Sequence, residues 1–160
     1  MPPIDVIVDY LVEHRLKVAT AECGTGGLIV SEILRTTGGR GVLEHGIFAQ
    51  SGEAQARYLG VHDQLRHEHG SNSDVAAAAM VQRLMRSSAA NIVIANTEIR
   101  PCTPAEPEGP GRAVLGWGIR RDARSRIHIK SCVFEGDAFE QRLEATYTGL
   151  REAIRLHGEF

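Results

Sequence analysis

Residues 18 to 27, Val-Ala-Thr-Ala-Glu-Cys-Gly-Thr-Gly-Gly, constrain this chain more than any other stretch. Val18, Ala19 and Ala21 supply a buried strand, and Gly24, Gly26 and Gly27 let the backbone turn sharply and let a ligand approach closely. The run Leu28-Ile29-Val30-Ser31-Glu32-Ile33-Leu34 then has the 3.6-residue apolar period of a helix packed on a sheet. A strand that turns through glycines into a helix aims free backbone N–H groups outward, where anions bind. Cys23 and Thr25 sit where a nucleophile or a phosphate-gripping hydroxyl is useful. The same turn also serves as ordinary punctuation between two elements, with no chemistry attached.

Around this junction the periodicity predicts helices and strands in alternation. Ile4 to His14 reads as an amphipathic helix with Ile4, Ile7, Val8 and Leu11 on one face. The helix after the glycine turn runs out near Thr36 to Gly39, and a short strand, Gly46 to Ala49, falls within Val42 to Gln50. Glu53 to Leu59 and His62 to Glu68 read as short helices closed by Gly60 and Gly70. Ser73 is the expected N-cap of an alanine-rich helix over Asp74 to Ser87. Asn91 to Ala95 is an unbroken apolar strand, and Arg100 to Gly111 is a loop by its prolines and glycines. Ala113 to Ile119 and Ile127 to Phe134 pair around a charged turn at Arg120 to Arg126, and Asp137 to Leu156 closes the chain as a helix. Helices alternating with strands at the front and a hairpin at the back give a layered α/β domain with a mixed sheet, one domain over residues 1–160.

Composition narrows the function classes. At 160 residues and 42% hydrophobic content, folding buries roughly 70% of the unfolded surface, enough for a real core. A net charge of −2 with dispersed basic residues lacks the basic face of a nucleic-acid binder. No run of eighteen apolar residues suits a membrane span, and Met-Pro-Pro-Ile-Asp lacks the regions of a signal peptide. Three cysteines without paired spacing suit a reducing cytoplasm. His62, His67 and His69 lie close together but without zinc-ligand geometry, so they read as a surface cluster, and we assign neither a metal nor a cofactor.

Read in order along the chain, several short motifs resemble the C-terminal domain of the CinA (competence/damage-inducible) family, whose active members are nicotinamide-nucleotide amidases. Ala21-Glu22-Cys23-Gly24-Thr25-Gly26-Gly27 stands where that family carries Ala-Glu-Ser-Cys-Thr-Gly-Gly. Gln50-Ser51-Gly52-Glu53-Ala54-Gln55, followed by Gly60-Val61, resembles its Tyr-Ser-Asn-Glu-Ala-Lys motif and Gly-Val pair. His69-Gly70 before Asn72-Ser73-Asp74, and Gly136-Asp137, match two further landmarks. The resemblance implies a three-layer α/β/α sandwich and self-association, a homo-oligomer such as a dimer.

The resemblance breaks at the chemistry. The family's serine attacks the amide, helped by the tyrosine and lysine of the second motif; here those positions are Cys23, Gln50 and Gln55. Glutamine takes no proton at neutral pH, so no general base remains in that motif. The family's Gly-Ile-Ala-Gly-Pro loop becomes Thr97-Glu98-Ile99-Arg100-Pro101, and an arginine after Gly-Asp becomes Ala138. Two roles stand open for Cys23. A thiol at a helix N-terminus has a lowered pKa and can act as a nucleophile, with His45 or a water as base; small buried cysteines are also inert packing residues. Thr25, Gly26 and Gly27 either grip an anion or cap the helix, and Glu22 either orients a ligand, pairs with Arg100, or ends a strand in solvent. By resemblance Gln50, Ser51 and Gln55 line the same pocket, and Cys102 approaches Cys23. The expectation is a CinA-like domain that has lost amidase activity and keeps a pocket for a small anionic, nucleotide-like ligand at Cys23 to Gly27, with a cysteine-dependent amidohydrolase and a non-catalytic interaction subunit as alternatives.

Overall fold

The computed structural model describes residues 2–160. Apolar residues on one face of α1 (Ile4–Glu13) join the core cluster that also holds Val18 of the strand that follows, β1 (Val18–Glu22). The glycine turn leads to α2 (Leu28–Leu34), a short α3 (Gly39–Val42) and β2 (Leu43–Phe48). Then come α4 (Gly52–Leu59), α5 (Asp63–His69), α6 (Asp74–Ser87) and β3 (Ile92–Asn96). The chain finishes with β4 (Arg100–Pro101), β5 (Gly111–Arg121), β6 (Arg124–Phe134) and the long α7 (Ala138–Glu159).

β1 is parallel to both β2 and β3, β5 is antiparallel to β3, and β6 is antiparallel to β5. Across the sheet the strands run β2-β1-β3-β5-β6, with the two-residue β4 beside the first residues of β5 in line with β3. Period-2 alternation gives the sheet two apolar faces. Val18, Ile92, Ile94, Leu115 and Trp117 meet α1, α2 and α7; Ala19, Ala21, Val93 and Ala95 meet α4 and α6. The result is the expected mixed sheet between two helical layers. β1 connects to β2 over one face and β2 to β3 over the other, so the connections diverge at the carboxyl ends of β1 and β3. Open α/β sheets bind ligands at such a switch point.

Element boundaries depart from the sequence reading in several places, α7 for one running three residues beyond the expected Leu156. Residues 39–42 form α3, a turn of helix rich in glycine that propensity alone disfavours. β2 starts at Leu43, three residues before the expected Gly46, because pairing with β1 carries it. The proline-rich segment contains β4, which fits at an edge because proline lacks an N–H. The hairpin strands run to Arg121 and from Arg124, leaving a turn of only Asp122 and Ala123, with Asp122 at φ 56°. Trp117 is core, its indole N–H donating to the Gly149 carbonyl at 2.8 Å.

Candidate functional site

Alternation along β1 decides what the glycine turn can do. Val18, Thr20 and Glu22 point toward α2, while Ala19, Ala21 and Cys23 point toward α6. Glu22 is buried, and its carboxylate accepts from the Thr25 hydroxyl at 2.6 Å, the Thr20 hydroxyl at 2.9 Å, and the Ile29 and Val30 amides at 2.9 and 3.3 Å. An internal carboxylate therefore caps α2 and occupies the place of an anion at its positive end. On the other side of the turn, buried Asn96 at the end of β3 accepts from the Gly24 and Thr25 amides at 2.8 and 3.0 Å and donates to the Thr25 hydroxyl at 3.0 Å. Gly24 is packed so tightly that a Cβ there would lie 2.4 Å from the Thr97 carbonyl oxygen. Gly26 and Gly27, at φ 61° and 93°, carry the left-handed turn.

These contacts correct three sequence expectations. Glu22 neither ends its strand in solvent nor pairs with Arg100, whose guanidinium binds Glu98 at 2.7 Å instead. Thr25 does not cap α2; its hydroxyl bridges Glu22 and Asn96, and Glu22 does the capping. Cys23 has no lowered pKa. It faces the α6 layer, away from the α2 N-terminus, with its Sγ 3.9 Å from the Met80 sulfur. Burial pushes its thiol up to about 12, helped by the negative charges of Glu98 and Glu22.

A cleft of about 220 Å³ opens at the carboxyl ends of β1 and β3. Its walls are Cys23 and Gly24, Gln50 after β2, Glu98 and Ile99 after β3, and Ala138, Gln141 and Arg142 from the first turns of α7. Of the candidate site residues expected from the sequence, the cleft brings together Cys23, Gly24 and Gln50, beside Glu98, Ile99 and Ala138 from the positions where the family motifs break. Ser51 instead caps α4, accepting from the Ala54 amide at 3.1 Å. Gln55 is buried and spends its amide on the Ala49 and Gln50 carbonyls, both at 3.3 Å, so it fixes the β2–α4 turn and does not line the cleft. His45 stands beside Ala19, four residues or about 13 Å along β1 from Cys23, too far to take its proton. Cys102 is exposed, and all three cysteines are free. Among the described residues, no group of His, Cys, Asp or Glu converges as a metal site would.

Sequence reasoning missed Asn96, Glu98, Gln141 and Arg142. Arg142 stands one helical turn beyond Ala138 on the same wall. Exposed at the cleft, its guanidinium has no ion-pair partner among the described residues. Gln141 is buried and donates to the Gly109 and Gly136 carbonyls at 3.0 and 2.9 Å, fastening the proline-rich loop to α7. Asp137 caps that helix in a capping box with Glu140.

A mixed α/β/α domain with a cleft at the switch point defines a class of protein; comparison with known proteins narrows it. Residues 3–156 match the CinA C-terminal domain family, and the chain belongs to it. A "putative competence-damage inducible protein" of Clostridium beijerinckii is 30% identical over 91% of this chain, and a "CinA-like protein" of Chlorobaculum tepidum is 30% identical over 92%. The chain spans about a third of the length of these relatives, 35% of each. Among solved structures, a competence or damage-inducible protein from Enterobacter asburiae superposes with a TM-score of 0.83 at 20% identity, covering 98% of this chain and 99% of that one. The competence/damage inducible protein CihA from Agrobacterium tumefaciens gives 0.79 at 25% identity, covering 98% and 96%. Among the described residues, no helix is long and apolar enough to cross a membrane.

Proposed function

We propose that this CinA-family domain no longer hydrolyses nicotinamide mononucleotide and instead binds a small anionic, nucleotide-like ligand in the cleft, acting in the cytoplasm as a homodimer. The observation that carries the loss of hydrolysis is the state of Cys23. Buried against Met80 with the negative charges of Glu98 and Glu22 nearby, the thiol is held well above its ordinary pKa and stays protonated at neutral pH. Among the described residues no base is hydrogen-bonded to Cys23: its Sγ faces Met80, Glu98 is paired with Arg100, Gln55 is occupied by backbone carbonyls and His45 lies along the strand. Arg142 supports the anion. The Glu98 charge is balanced by Arg100 and the Glu22 carboxylate is enclosed by four donors, which leaves Arg142, among the described residues, as the unbalanced charge on the cleft wall.

The test is incubation of the purified protein with nicotinamide mononucleotide, reading released ammonia and melting temperature together. A ligand that binds only the native state raises the melting temperature by mass action. The expected result is a concentration-dependent rise, lost in Arg142→Ala, with no ammonia. Ammonia that disappears in Cys23→Ala would mean that the thiol does the serine's work and would overturn the reading. No shift at millimolar ligand would remove the ligand half of it.

A further inference from the structure

Two hollows meet at the first turn of α7. The cleft, at about 220 Å³, is smaller than the roughly 300–1,000 Å³ usual for a small-molecule site. A second hollow of about 520 Å³ lies between Pro107, Glu108 and Gly109 of the proline-rich loop and the Gly136-Asp137 turn that enters α7. Ala138 and Gln141 border both. Ala138 puts only a methyl group at this shared border, and Gln141 is held by its own hydrogen bonds. Its Nε2 donates to the Gly109 and Gly136 carbonyls at 3.0 and 2.9 Å, tying the loop on one side of the second hollow to the turn on the other. Within the loop the Cys102 and Gly109 amides donate to the Pro110 and Glu106 carbonyls at 2.9 and 3.0 Å. Walls ordered in advance reduce what a ligand loses on binding.

The polar groups left unanswered differ between the two hollows. Gln141 is 8% exposed, and with its NH2 group spent on two carbonyls, its Oε1 accepts no hydrogen bond among the described residues. The Glu108 carboxylate is exposed at the second hollow and has no hydrogen-bond or ion-pair partner among the described residues. Asp137, the other acid there, is occupied in capping α7, accepting from the Glu140 amide at 2.8 Å. The second hollow therefore offers two free acceptors, and a carboxylate of this kind can only accept. On the cleft side Arg142 offers a free cation, one residue beyond Gln141. A ligand that answers both carries an anionic group at the cleft and hydroxyl donors beyond Ala138. A ribose joined through phosphate has this order, and its diol is a group that acidic side chains bind in dinucleotide sites. A second anion in the outer hollow would instead face Glu108.

From this arrangement we infer that the ligand of the cleft is a dinucleotide and not a mononucleotide. Its pyrophosphate lies against Arg142, and its second ribose passes Ala138 into the outer hollow, where the hydroxyls donate to Glu108 and to the Gln141 Oε1. The inference rests on the anion-binding reading of the cleft given above and names the class of ligand for it.

Calorimetric titration of the full chain tests this with three probes: nicotinamide mononucleotide, AMP, and NAD, in which those two halves are joined through a pyrophosphate. NAD is expected to bind about tenfold tighter, or more, than either half. Glu108→Ala removes an acceptor of the diol, and Ala138→Leu narrows the border that the two hollows share. Each should bring the ratio of the mononucleotide and NAD dissociation constants close to one. A protein that binds the mononucleotide but binds NAD no tighter overturns the inference and leaves the reading of the cleft standing. So does an NAD advantage that survives both substitutions, or AMP binding as tightly as NAD, which would put the adenylate in the cleft. Binding of neither the mononucleotide nor NAD overturns the inference together with the reading beneath it.

Discussion

Glu22→Gln should cost this fold about 2 kcal/mol, and Glu22→Ala about 4 kcal/mol or more. The wild-type carboxylate accepts four hydrogen bonds, two on each oxygen. A glutamine keeps one oxygen, and that oxygen would stay with the Thr25 hydroxyl and the Ile29 amide, the shorter pair. Its NH2 group would then face the Thr20 hydroxyl, which can rotate to accept, and the Val30 amide, which cannot. One charge-assisted bond is lost and two donors are set against each other, a cost of about 1.5–3 kcal/mol. Alanine removes every acceptor, leaves the first amides of α2 unpaired and opens a cavity, which adds about 2 kcal/mol more. Urea unfolding followed by circular dichroism reads both. With a slope near 2 kcal/mol per molar, the midpoint should fall by about 1 M for glutamine and about 2 M for alanine. Equal losses in the two variants, or a loss under about 0.5 kcal/mol for glutamine, would refute the idea that this carboxylate holds the turn through its acceptors.

Two further predictions concern other parts of the fold. Gly24→Ala must push back the Thr97 carbonyl and should cost about 2 kcal/mol or more, whereas Gly26→Ala meets open space and should cost only the left-handed backbone, about 1 kcal/mol; thermal melting of both variants compares them, and equal losses would count against the close packing at Gly24. His157 is buried at the junction of α1, β5 and α7. Arg121 can only donate, at 3.0 Å to its Nε2, so the ring proton belongs on Nδ1, directed at the Tyr10 hydroxyl 2.8 Å away. Burial, then the charges of Arg121 and His14, lower its pKa below the ordinary 6.5. The unfolded chain therefore binds a proton more readily than the fold does. Stability from this group is present above about pH 6.5 and is lost as pH falls from there toward the lowered value. Unfolding titrations from pH 8 to 5 should show that loss, and His157→Gln should flatten it; an unchanged pH slope in that variant would refute it.

Much of the fold was legible because local signals agreed. Ser73 caps α6 as its position before an alanine-rich run suggested, and the apolar run before Asn96 is a strand buried along its length. What was not legible depended on contacts across the sequence. Asn96 acts on Gly24 and Thr25 from about seventy residues away, and nothing in its neighbours marks it. Arg142 was within reach, because the i,i+4 spacing from Ala138 puts both on one face of a helix whose start was recognised. The role of Glu22 was within reach too. Alternation alone separates it from Cys23 onto opposite faces of the sheet, and the hydroxyls at 20 and 25 offer it partners. The sequence leaves this carboxylate open between a ligand contact, a pair with Arg100 and a strand end in solvent, whereas burial with four donors makes it structural.

That separation bears on how a glycine turn at a switch point can be used. With α2 capped by the protein's own carboxylate and the Gly24 and Thr25 amides held by Asn96, the backbone of this turn has few donors left for a phosphate. The same two constraints hold the turn rigid and hold Cys23 against Met80, where Glu22 and Glu98 both oppose its ionisation. A nucleophile here would have to overcome burial and two negative charges without a base. The anion proposed above would meet a different balance on the side of the cleft formed by Gln50 and α7, where Arg142 has no ion-pair partner among the described residues. The acceptor-rich turn thus works against covalent chemistry at Cys23, and it is the opposite wall, rather than the helix terminus, on which the proposed binding rests.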